Sequence, residues 1–268
     1  DIDTIELNIL NKLDSDMRRI IKTLKHQAEE AKQIEEIHIL NKKLLDITKT
    51  ALKKNLIDTD ETKILNNELM GKFNKNFGIR NEHNALAVYE QMNKVQVYAK
   101  NDQLYIKEFY LKHHHHEKEE EEDEGKQVTS KYFTLKGKID GLANILKEND
   151  IYDYDTFIIE VKCRINKLSN QLKSHDIIQL ILYMQMLNKK KAHLVEYMKQ
   201  NNDKINILPF ELTEEHQIGY DQEIIPRLYE FCTFIYQLRQ NDHLRATLLT
   251  ATKFKKIKLI KQHLTYLQ

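Results

Sequence analysis

Residues 157–164 read FIIEVKCR and place an acid and a lysine one residue apart at the end of an apolar run. The run has the pattern of a buried β-strand. Side chains alternate between the faces of a strand, so Glu160 and Lys162 share one face while Val161 turns to the other. A charge withdrawn from water is costly unless it is paired or bound. A strand end reaching solvent, or a local ion pair, would account for these two residues on their own. Asp140 in GKIDGLA (137–143), set between Gly137 and Gly141, adds a second acid. A hairpin would lay that segment beside FIIEVK and bring Asp140 next to Glu160. Two carboxylates at one sheet edge repel unless a cation lies between them. Hard divalent cations such as magnesium take carboxylate oxygens, backbone carbonyls and water. Lys162 on the same face could then favour an attacking hydroxide, or charge developing on a phosphate.

The elements that must position these residues can be read from periodicity. Residues 1–57 step apolar positions by three and four without Gly or Pro, which predicts a helical hairpin packed on the next domain, with a coiled coil as the alternative. DTDETKILNNELMGKF (58–73) predicts a helix capped by Asp58 or Thr59, and NEHNALAVYEQMN (81–93) a further helix opened by NFG. The period then changes. KVQVYA (94–99) and LYIKEFYL (104–111) read as strands, and HHHHEKEEEEDEGKQ (113–127) as a solvated insertion in a hairpin, with histidines that could bind a metal only opportunistically. Strands at 131–146 and 156–164 flank the turn-rich KENDIYDYD, where Tyr152 and Tyr154 read as turn residues. A helix at 174–188, strands at 192–198 and 205–212, a helix from Pro226 to about 240 and a basic terminal helix complete the chain. The order predicts an α/β fold: a central mixed sheet flanked by helices, with helical additions at both ends.

The 268 residues suffice for one large domain or two small ones, and 41% hydrophobic content can build a core. EKEEEEDE (117–124) carries a net −6 against the chain's +1, so the remainder is basic at +7. No apolar stretch approaches the roughly 20 residues that cross a bilayer, and no secretory pattern opens the chain. Cys163 and Cys232 form no CxxC pair, which argues against a cysteine-built zinc or iron–sulfur site. The expected setting is a reducing intracellular one, without a membrane partner.

Asp…Glu-x-Lys behind a glycine-flanked strand resembles the PD-(D/E)XK nuclease superfamily. QLILY (179–183) fits the QxxxY motif that RecB-like and lambda-exonuclease-like members carry on the helix after the catalytic strand; Gln179 and Tyr183, four apart, share a helical face. FGIRNEHNALAVYE (77–90) resembles the first motif of the YqaJ and lambda-exonuclease branch, a glycine-led turn and a helix-borne glutamate, which places Glu82 in the site. EVKCRINKL, QLILYMQML and AHLVEY are similar to relatives in large DNA viruses and protists. Ile139 stands where the signature has proline, the four-cysteine cluster of some members is missing, and so are helicase motifs. Residues 1–70 and the C-terminal helix lie outside the resemblance.

The resemblance implies a restriction-endonuclease-like α/β core over 71–221, behind a helical extension (1–70) and ahead of C-terminal helices (222–268) packed on it. It implies magnesium- or manganese-dependent hydrolysis of DNA phosphodiesters, at DNA ends, in recombination, repair or viral replication. Asp140, Glu160 and the Val161 carbonyl would hold the metal, with Glu82 completing the site directly or through water. Lys162 would orient the attacking water, Gln179 would hold Lys162 or the scissile phosphate, and Tyr183 would support a strand end or the DNA backbone. Arg164 would contact a phosphate, or lie free on the surface. Lys255 and Lys256 in KFKKIKLIK (253–261) would contact a nucleic-acid backbone, or form a solvated face. The N-terminal helices could serve self-association or a protein partner. A cap-snatching RNA endonuclease and an inactive DNA-binding or scaffold module are the rival readings.

Overall fold

The computed structural model describes residues 2–110, 131–147, 150–200, 203–251 and 253–265. Along the chain come α1 (Ile2–Lys12), α2 (Ser15–Glu30), α3 (Ile34–Lys53), α4 (Thr59–Asn93), β1 (Val97–Tyr98), β2 (Tyr105–Tyr110), β3 (Lys131–Gly137), β4 (Gly141–Lys147) and β5 (Asp150–Cys163). Next are α5 (Ser174–Leu187), β6 (Lys191–Met198), β7 (Lys204–Glu211), α6 (Glu214–Gly219), a π-helical turn (Tyr220–Ile224), α7 (Ile225–Gln240), α8 (Asp242–Thr250) and α9 (Lys253–His263). The fold is α/β with a five-stranded mixed sheet, as the sequence predicts. The acidic and histidine-rich insertion expected at 113–127 lies outside the described residues.

The chain divides into two compact units. One comprises residues 1–102, 139–180 and 191–210; the other comprises 103–138, 181–190 and 211–268. The expected boundary at 70 falls inside α4, and the expected terminal block from 222 shares its unit with the β2–β3 pair and the end of α5.

In the first unit the strand order is β1-β4-β5-β6-β7, antiparallel across β1, β4 and β5 and parallel between β5 and β6. The helical hairpin expected over 1–57 is three helices. Asp14 interrupts the series, its carboxylate accepting from the Met17 N–H at 2.8 Å, so it caps α2 where the apolar spacing alone runs on. Glu6, buried on α1, binds Lys25 on α2 at 2.6 Å and Lys72 on α4 at 2.7 Å.

The helices expected at 58–73 and 81–93 are one helix. Asp58 and Glu61 form a reciprocal capping box at the start of α4, and Lys94 ends it in a left-handed conformation. Leu65, Leu69, Phe73 and Phe77 are buried with α1–α3, and Ala85, Leu86 and Tyr89 with the sheet residues Val97, Ile159, Val161 and Val195. Burying one such large apolar side chain contributes about 1.5–3 kcal/mol. An interior helix glycine costs about 1 kcal/mol relative to alanine. The two flanking cores therefore carry the helix through Gly71 and Gly78, and NFG makes no turn.

Other expectations shift at the edges. The strand expected over 131–146 is two, β3 and β4, in different sheets, and β5 already includes Tyr152 and Tyr154, which are not turn residues. Gly141 marks the start of β4. A Cβ there would lie 2.2 Å from Val97 Cγ1, so only glycine lets β1 pass this close.

The second unit contains the antiparallel β2–β3 pair, with Phe109 and Phe133 stacked at 4.5 Å between ring centroids and Tyr229 edge-on to both. Pro226 follows the π-helical turn, where the backbone stays helical through Ile224 and Ile225 and the Ile225 N–H reaches back to the Tyr220 carbonyl. The proline therefore lies inside a continuous helical run and donates no bond to it. Among the described residues no helix is long and apolar enough to cross a membrane.

The continuity of α4 can be measured at Gly71, which is exposed and would place a new Cβ in open space. Gly71→Ala should raise unfolding stability by about 0.5–1 kcal/mol in denaturant melts. An unchanged or lowered stability would mean that residue 71 is not interior helix.

Candidate active site

The site begins where β4 stops. β5 is paired with β4 as far as Ile159, opposite Gly141, and with β6 from Phe157 to Cys163. Among the described residues, 160–163 therefore have one edge without a strand partner. Asp140, the residue before β4, fills part of it: its Oδ2 accepts from the Val161 N–H at 2.6 Å. In a strand the N–H and C=O of one residue point to the same edge, so the Val161 carbonyl faces the Asp140 side as well.

The two faces of β5 then divide the labour. Ile159 and Val161 pack against α4. Glu160 and Lys162 take the other face, as the alternation predicts, and there they meet α5. Lys162 Nζ donates to Glu160 Oε1 at 2.7 Å and to Gln179 Oε1 at 2.8 Å. The Gln179 amide donates from Nε2 to the same Glu160 oxygen at 2.8 Å. This closed triangle fixes the ammonium and leaves Glu160 Oε2 buried without a hydrogen-bond partner among the described residues. Glu82 on α4 approaches the sheet edge from the opposite side, with Asn101 Nδ2 3.4 Å from its Oε2. A cleft of about 310 Å³ opens there, lined by Ile79, Glu82, His83, Leu86, Lys100, Asn101 and Asp140.

Burial sets the electrostatics. Glu160 is 4% exposed and Asp140 9%. Desolvation pushes Glu160 up to about 7, with the Asp140 charge adding to the rise and Lys162 opposing it. The ion pair with Lys162 only partly offsets the cost of burial. Glu82, half-buried, is raised to about 7 by desolvation first and Asp140 second. Asp140 is raised by desolvation, against the Val161 N–H and the Lys162 charge.

Glu82, Asp140, Glu160, Val161, Lys162 and Gln179 thus come together in one unit. Tyr183 belongs to the other. Its ring lies over Gly137 at the end of β3, so closely that a Cβ there would be 2.6 Å from Cε1; the strand end it supports is that of β3. Lys255 is exposed on α9 and Lys256 partly buried. Arg164 departs from expectation. It does not lie free on the surface but is partly buried: its Nε donates to Glu196 Oε1 at 2.7 Å and its Nη2 to Asp176 Oδ2 at 3.4 Å. Glu196 and Asp176 are 0% and 1% exposed and were not foreseen. The signal was present for one of them, since Glu196 in HLVEYM is an acid inside an apolar strand, the same anomaly that singles out Glu160.

Among the described residues, no three His, Cys, Asp or Glu side chains are gathered at metal-ligand spacing. In chemical type the donors nevertheless suit a hard divalent cation. An unpartnered buried carboxylate oxygen on Glu160, a second Asp140 oxygen and the edge-facing Val161 carbonyl are the ligands such an ion takes. No protein-family model and no curated protein matches the chain. One solved structure, titled "Crystal structure of SSO0001", is 14% identical over 58% of this chain, with a TM-score of 0.32. The match spans 64% of that protein's length, less than two thirds. At that score the likeness bears on neither fold nor function.

The raised carboxylates give a pH signature. A carboxyl whose folded pKa lies above its unfolded value of 4.5 contributes stability below about 4.5, which is lost as pH rises through about 7. In EDTA, the melting temperature should therefore fall across that window in the unmodified protein relative to Glu160→Gln. Parallel pH profiles for the two proteins would mean that Glu160 ionises as it does in water.

Proposed function

We propose that the chain is a metal-dependent nuclease that hydrolyses DNA phosphodiester bonds, acting at DNA ends. The observation that carries this reading is the Glu160–Lys162–Gln179 triangle beside Asp140, at a strand edge where a buried carboxylate oxygen has no partner. A chain that only needed a stable sheet would place an apolar residue at 160, because a buried ion pair seldom stabilises more than its hydrophobic replacement.

Asp140, Glu160 and the Val161 carbonyl would hold magnesium or manganese, with Glu82 at the margin. The ion when bound offsets the carboxylate repulsion, polarises a phosphoryl oxygen and lowers the pKa of a coordinated water. The chain's own residues do the rest. Glu160 and Gln179 fix the Lys162 ammonium from two sides, so its remaining hydrogen can be aimed at an attacking water or a phosphoryl oxygen without reorganisation during the reaction. Gln179 bonds both members of the pair and sets their separation. The cleft beside Glu82 and Asp140 is lined by Lys100, whose ammonium binds Glu90 at 2.8 Å and keeps further hydrogens for a nucleotide, and by Asn101, with Ile79 and Leu86 as apolar wall.

One observation favours a second reading. Lys162 already pairs with Glu160, and the carboxylates are not gathered at ligand spacing among the described residues, as in a nuclease fold kept only for binding.

Cleavage assays separate the two. Purified protein incubated with linear, circular and single-stranded DNA should cut in Mg²⁺ or Mn²⁺ and stop in EDTA, and Asp140→Asn should abolish cutting while remaining folded. Gln179→Ala should lower the single-turnover rate by about a hundredfold, the scale of losing one positioned donor. DNA affinity should hardly change, because Gln179 bonds Lys162 and Glu160 rather than solvent. A protein inert towards every DNA and RNA substrate in both metals would leave the binding module as the correct reading. A preference for single-stranded RNA would move the substrate class.

A further inference from the structure

The register of β5 and β6 sets Lys162 directly opposite Glu196. Neighbouring strands lie about 4.8 Å apart and paired residues share a face, so the Glu196 carboxylate is within reach of the lysine's long side chain. Lys162 therefore has two buried carboxylates to choose between, Glu160 along its own strand and Glu196 across the ladder. It bonds the first. The second is filled from elsewhere. Arg164 Nε takes Glu196 Oε1 at 2.7 Å, and the Ser169 and Asn170 N–H groups take Oε2 at 2.7 and 3.1 Å. The other arm of the guanidinium reaches Asp176 in the first turn of α5, three residues before Gln179.

We propose that Arg164 is a positioning residue: by occupying Glu196 it keeps that carboxylate from drawing the Lys162 ammonium away from Glu160 and Gln179. The inference rests on the reading of Lys162 as a working group of the site. Guanidinium suits the task, since its rigid fork serves two acids at once and stays charged at every working pH. Without it, Glu196 Oε1 would be a bare charge at 0% exposure, and the cation that the register puts beside it is Lys162. Truncating one partner of a buried pair leaves the other uncompensated. Here the compensation would come at the expense of the site.

The test reads Lys162 itself. Its side-chain ammonium resonance, assigned through Lys162→Arg, should shift in Arg164→Gln and return to the original position in Arg164→Gln combined with Glu196→Gln, because the competing carboxylate is then gone. Single-turnover cleavage should change in parallel, falling about a hundredfold in the single variant and recovering in the double to within about twofold, as a pairwise coupling requires. A merely structural arginine would show its loss and rescue in melting temperature alone, with the Lys162 resonance unmoved in both variants. If the single variant does not fold, the double variant combined with Asp176→Asn, which leaves neither of the arginine's buried acids uncompensated, decides: a shifted resonance there means that Arg164 acts on Lys162 directly, and the inference is wrong. An unmoved resonance in a folded single variant overturns it equally. The salt dependence of DNA binding should be the same in all three proteins, whereas losing a phosphate contact would lower its slope by about 1. Should the unmodified protein cut no nucleic acid, the nuclease reading fails, and the resonance measurement still judges the role of Arg164.

Discussion

A carboxylate at 4% exposure inside a five-stranded sheet is the constraint around which the rest of this structure is arranged. Glu160 can sit there because one of its oxygens receives both an ammonium and an amide N–H. Everything that brings those donors to it has a traceable cause. β4 begins at Gly141, where Val97 passes too close for any other residue, and among the described residues no strand lies beyond it, so the end of β5 is open on one edge. Asp140 closes that edge with a side chain instead of a strand and so becomes the second acid of the site. α5 returns over the opposite face with Gln179 one turn beyond the Arg164–Asp176 contact. The unpartnered Glu160 oxygen is what remains after these donors are spent.

α4 ties this arrangement to the N-terminal helices. Its buried positions recur every four residues from Leu65 to Tyr89, and the helix passes from a core shared with α1–α3 to one shared with the sheet. Glu82 lies at that transition, one residue beyond buried Asn81 and within the electrostatic reach of Asp140. The N-terminal helices therefore do more than precede the sheet: they hold the half of α4 from which the helix carries Glu82 to the site. Glu6 reinforces the connection through Lys25 and Lys72.

Much of the site was legible because its signals are local. Alternation along β5 put Glu160 and Lys162 on one face, and the four-residue step put Gln179 and Tyr183 on one side of a helix. What failed depends on partners distant in sequence. Nothing local reveals that Gly71 and Gly78 are overridden, since that depends on two cores formed by other segments. The pairing of Arg164 depends on the β5–β6 register and on an acid on each of two later elements, so the arginine next to the lysine reads from its local sequence as a phosphate contact, with nothing there to reveal its two acidic partners. Tyr183 lies on the expected helix, yet its neighbour is Gly137 of β3, and no spacing within QLILY could say so. The caps divide in the same way: Asp58 was recognisable beside Glu61, whereas Asp14 lies inside an apolar series that continues on either side of it.

The central claim is that the unpartnered oxygen of Glu160 belongs to a divalent-cation site. Calorimetric titration of the full chain with Mn²⁺ near pH 8, where carboxyls raised to about 7 are ionised, addresses it without reference to any substrate. A saturable site that is lost in Glu160→Gln and weakened in Asp140→Asn is the expected result. A protein that takes up no Mn²⁺, or takes it up equally well in Glu160→Gln, would contradict it, and Glu160 would then be a buried ion-pair partner of Lys162 and nothing more.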